Sequence, residues 1–61
     1  MNTLFEVIRP SIEADVLARE IVIPIPKLLD ENPQIIVLIY RFYMKAENDK
    51  YVYTFSGAQI R

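Results

Sequence analysis

The chain has 61 residues, with 7 Lys and Arg against 8 Asp and Glu, a net charge of −1, and neither cysteine nor histidine. That length holds one domain, spanning 1–61. The missing residue types exclude a disulfide framework, a Cys or His metal centre, a Cys nucleophile and a His base.

Thr3 to Arg9 reads as a strand, with Phe5 and Val7 on one face and Leu4, Glu6 and Ile8 on the other. Pro10 ends it, because proline has no ladder donor. Ser11 then stands as an N-cap, Glu13 and Asp15 fall in a first turn, and Ile12, Val16 and Leu17 recur at helical spacing. A helix is expected over 11–20, with Asp15 and Arg19 as an i,i+4 pair.

Ile21-Val22-Ile23-Pro24-Ile25-Pro26 is extended and belongs at a sheet edge, where a missing N–H is tolerated. Pro26 can open a short helix through 27–31, stopped by a left-handed Asn32 and by Pro33. Gln34 to Ala46 and Lys50 to Ser56 read as the two strands of a hairpin. A two-residue loop at Asn48-Asp49 pairs Glu47 with Lys50. That register puts Ala46, Met44 and Phe42 opposite Tyr51, Tyr53 and Phe55, as one apolar face.

The expected fold is therefore α+β. A small antiparallel sheet is dominated by the hairpin of residues 34–56, with further strands at 3–9 and 21–25, and the helix of residues 11–20 covers one face. The competing architecture is all-β, a small SH3-like or OB-like barrel in which residues 15–25 form one strand.

Hydrophobic residues make up 52% of the chain, nine of them Ile and five Val. A domain of about 60 residues buries only about 60% of the surface that its unfolded chain exposes. Small folds are usually stapled by disulfides, a metal or a partner chain, and here the partner chain is left. Below Arg41 the polar face of the long strand turns into Ile35, Val37 and Ile39, so that half is apolar on both sides and needs a cover. These three residues are the candidate interface.

Chemistry has little material. Ser11 and Ser56 lack a base, and the pairs Glu13/Asp15, Asp30/Glu31 and Glu47/Asp49 sit in caps and turns rather than a cleft. One glycine cannot make a phosphate-cradling loop. No enzyme activity and no cofactor are expected. The aromatic hairpin offers a second class of reading, single-stranded nucleic-acid binding through Arg41, Tyr43, Lys45 and Lys50. Against it stands a net charge that is not positive.

The first ten residues lack the basic start and apolar run of a signal peptide. The longest apolar run, Ile35 to Tyr40, falls far short of the ~20 residues of a helical membrane span. A cytoplasmic protein without membrane contact is expected. The function that follows is a non-catalytic interaction module, a small regulatory, inhibitor or accessory protein. Its partner is itself, as a homodimer or higher oligomer, or another protein.

Overall fold

The computed structural model describes residues 8–29 and 31–61. Its elements are four strands, β1 (Ser11–Ala14), β2 (Glu20–Leu29), β3 (Asn32–Lys45) and β4 (Tyr51–Ile60). They form a single antiparallel sheet in the order β1-β4-β3-β2. The fold is all-β, a curled half-barrel without helix among the described residues, which corrects the α+β expectation and fits its all-β alternative.

Both expected helices are strands or turns instead. Ser11–Ala14 alternates between exposed and half-buried positions and pairs with Thr54 to Tyr51 of β4. Ile12 and Ala14 then pack on the core. A lone helix of about ten residues is marginal, and edge pairing with β4 outweighs its capping signals. Asp15 meets Lys50 rather than the expected Arg19. Residues 15–19 are not part of a strand either; they cross from β1 at one edge of the sheet to β2 at the other.

Lys27 to Leu29 simply continue β2, paired with Gln34 to Asn32. Among the described residues of that turn, the left-handed one is Glu31, with φ 63°, not Asn32. The strand expected at 21–25 lies inside β2. Of the strand expected at 3–9, residues 3–7 lie outside the described residues, and Ile8 and Arg9 are not in a strand.

The hairpin is present with a different loop. Ala46 N–H donates to the Lys50 carbonyl (2.7 Å), and Asp49 N–H donates to the Ala46 carbonyl (3.2 Å). Asp49 has φ 65°. The loop is therefore the three residues Glu47-Asn48-Asp49, a turn followed by a left-handed residue. It sets Lys45 opposite Tyr51 and Met44 opposite Val52. Continued unbroken, that register would turn Phe42 and Tyr40 away from the core. An irregularity at Tyr43 restores the phase, so that Phe42 faces Tyr53 and Tyr40 faces Phe55. A second irregularity leaves Ser56 without a partner between the pairs Tyr40–Phe55 and Ile39–Gly57. The two bulges sharpen the curl of the sheet.

The core lies on the concave face. Ile36, Leu38, Tyr40 and Tyr53 form its buried centre, with Ile8, Ile12, Ala14, Ile21, Ile23, Ile25, Tyr51 and Phe55 packed around them. Edge-on rings join Tyr40 to Phe55 (5.5 Å) and Phe42 to Tyr53 (5.7 Å). Two tyrosine hydroxyls fasten the chain that passes over this face. The Tyr40 hydroxyl accepts from Arg9 N–H (3.1 Å). The Tyr53 hydroxyl accepts from Ala18 N–H (2.8 Å) and donates to the Val16 carbonyl.

Candidate interaction surface

The register of β2 on β3 builds the other, convex face. Val22 lies opposite Ile39, Pro24 opposite Val37, Pro26 opposite Ile35, and Leu28 opposite Pro33. Alternation puts all eight side chains on the side away from the core residues Ile21, Ile23, Ile25, Ile36, Leu38 and Tyr40. From the Val22–Ile39 pair to the Leu28–Pro33 pair, the strip is about 20 Å long at ~3.4 Å per residue. It carries no charge and no hydrogen-bonding side chain.

The strip is open where it matters. Val22 is 47% exposed, Ile35 42% and Leu28 71%. The prolines at 24, 26 and 33 are exposed and Ile39 is half-buried. On the β4 side, Gly57 stands beside Ile39 and Gln59 beside Val37. A side chain added at Gly57 would meet nothing within 4 Å. β4 therefore gives Ile39 no side-chain cover, and an empty slot lies next to it. A shallow cleft continues the strip around its far end, lined by Pro26, Leu28, Pro33, Ile35 and Arg61 among others. The near end closes on the Glu20–Arg41 ion pair (3.8 Å).

The three interface residues expected from sequence share this face but not equally. Ile35 and Ile39 are accessible, whereas Val37, between Pro24 and Gln59, is only 4% exposed and belongs to the buried set. Sequence reasoning missed the β2 half of the strip. The signal for it was present: Val22, Pro24, Pro26 and Leu28 are four apolar residues at a spacing of two.

The basic residues of the hairpin do not come together. Arg41 meets Glu20, Lys45 meets Asp49 (3.5 Å), and Lys50 meets Asp15. Lys45 also lies over the Tyr51 ring, on the aromatic face rather than the opposite one. The neighbouring Asp15 carboxylate, which accepts a hydrogen bond from Lys50, raises the Lys50 pKa. Tyr43 stands exposed at its bulge and takes part in none of these three ion pairs. A strand of phosphates would have to displace an acid at each of the three cations.

Among the described residues no three acidic side chains gather to hold a metal ion, and no buried polar side chain lacks a partner. No helix among them is long and apolar enough to cross a membrane. The chain matches no protein-family model, and searches of curated proteins and of solved structures also return no match.

Proposed function

We propose that this protein is a non-catalytic protein–protein interaction module whose contact surface is the convex face of β2 and β3. One observation carries the reading: the described fold is a single sheet, and this part of it is apolar on both faces. Stable domains pack apolar faces in pairs of layers. Here the concave face holds the core, and the convex strip, with Val22, Leu28 and Ile35 exposed, has no second layer among the described residues. Exposed apolar strips of this kind mark contact sites. A small cytoplasmic regulatory or accessory protein suits the size and the cysteine-free composition.

A photo-reactive residue placed at Val22 or Leu28 in living cells tests this. Cross-links to protein are expected from both positions and not from Glu47, which is exposed in the hairpin loop. Equal yields from the face and from Glu47, or none, would overturn the reading.

A further inference from the structure

We infer that the occupant of this face is a second copy of the chain, packed sheet on sheet, and that strand addition at the sheet edges does not contribute. The inference rests on the interaction reading above and names its partner.

The edges come first. Phe42 N–H donates to the Arg19 carbonyl (3.1 Å), so residue 19, and by alternation residues 21, 23 and 25, direct their backbone groups at β3. Residues 20, 22, 24, 26 and 28 direct theirs outward. Two of these, Pro24 and Pro26, are in the middle of the row and have no N–H to offer. A strand laid along β2 would lose its central donors. At the opposite edge, β1 is only four residues long, and Phe55 N–H donates to the Pro10 carbonyl, which leaves Ser11 and Glu13 pointing outward. A short edge carrying an acid is also protected against pairing. The same prolines that blunt the β2 edge present flat, rigid side chains to the convex face.

The face fits its own copy. An isologous dimer needs one patch that complements itself. This strip is uncharged along its length and carries an acid and a base at each end: Glu20 with Arg41 at one, Glu31 with Arg61 at the other. A two-fold axis running along the strands lays each end of one copy over the same end of the next and reverses the order of strands across the sheet, so acid can meet base at both. The net charge of −1 opposes the approach only weakly. Each copy then supplies the layer that the described residues of the other do not provide, at the ~10 Å spacing of packed sheets. The slot beside Gly57 receives a side chain from the facing copy.

Area sets the strength. The strip, about 20 Å by 10 Å at ordinary strand spacing, covers well under the ~800 Å² that each partner gives to a standard interface. The dimer is therefore reversible and dissociates on dilution.

Sedimentation velocity on the purified chain across the micromolar range reads this directly. The wild type should move from 7.2 kDa towards twice that mass as concentration rises. Ile35→Lys should raise the dissociation constant at least tenfold. Gly57→Glu should do the same while keeping the monomer folded, since the added side chain enters open space. Replacing Pro24 and Pro26 together by Val, which restores the edge donors and keeps the face apolar, should leave the dimer formed. A dimer that survives both Ile35→Lys and Gly57→Glu overturns the face. A wild type that stays monomeric, while Val22 cross-links to a protein of another mass, overturns the second copy and leaves the interaction module standing. Loss of both the dimer and the cross-links removes both.

Discussion

Tyr53 does more than fill the core. Its ring is fully buried, and its hydroxyl holds two backbone groups of the segment that crosses from β1 to β2. Removing the hydroxyl strands the Val16 carbonyl and the Ala18 N–H in a partly buried site, and each orphaned group costs about 1–3 kcal/mol. Tyr53→Phe should therefore lower stability by about 2–3 kcal/mol in urea unfolding. Tyr40→Phe, which strands only the Arg9 N–H, should cost about 1 kcal/mol. Glu31 is strained in a different way. A non-glycine residue in the left-handed region costs about 1–2 kcal/mol, and only Asn and Asp relieve part of it locally. Glu31→Gly should thus stabilise the fold by about 1 kcal/mol. Asp49→Gly should be close to neutral, because Asp tolerates φ 65° and the change also gives up the exposed pair with Lys45. Lys50 adds a titration. Its pKa is raised above 10.5, so the stability it contributes is complete below about that value and is lost as pH climbs through the raised one. In an NMR titration, Asp15→Asn should bring the Lys50 ammonium back towards its ordinary range.

At the level of elements, Phe42 shows how pairing grades a side chain. It meets Tyr53 edge-on and Tyr51 at a tilt but remains 40% exposed. Phe42→Ala should cost about 2 kcal/mol, against about 2–5 kcal/mol for Leu38→Ala at the buried centre, both by chemical denaturation. The same elements explain what could be read in advance. β3 and β4 were legible because runs such as Ile35–Tyr40 and Tyr51–Phe55 have strong strand propensity whatever they pack against. The extended start of β2 was legible for the same reason. Residues 11–20 were not, because caps and acids at 11, 13 and 15 favour a helix locally, and only the pairing with β4 decides otherwise. The register failed for a related reason. Loop length and the bulge at Tyr43 compensate one another, and neither is visible from alternation alone. The interface was half legible: Ile35 and Ile39 followed from the switch in pattern at Arg41, while their β2 neighbours required the pairing of β2 with β3.

Over the whole molecule the core is thin. Among the described residues the buried apolar ones are Ile36, Val37, Leu38, Tyr40 and Tyr53. The radius of gyration, 13.2 Å, is that of a compact domain of about 100 residues. The described residues measure 44 × 22 × 15 Å, a slab about one sheet and its side chains deep. A slab gains most from a second layer, so stability should rise with protein concentration. The thermal midpoint should increase across the micromolar range for the wild type and stay flat for Gly57→Glu.

The strand order also dictates a sequence of events in time. β2, β3 and β4 are joined by short turns, so they can zip together as a meander from neighbours in the chain. β1 has no such neighbour: Ser11 must find Thr54 across almost the whole length of the molecule. Closing so large a loop costs entropy that local hairpins do not pay. The meander should form first, and β1, with the strap that Tyr53 pins, should dock last and leave first. In hydrogen exchange the amides at 12 and 14 should open with a smaller free energy than those at 36–40, and Tyr53→Phe should widen that gap by releasing the strap while the meander stays closed.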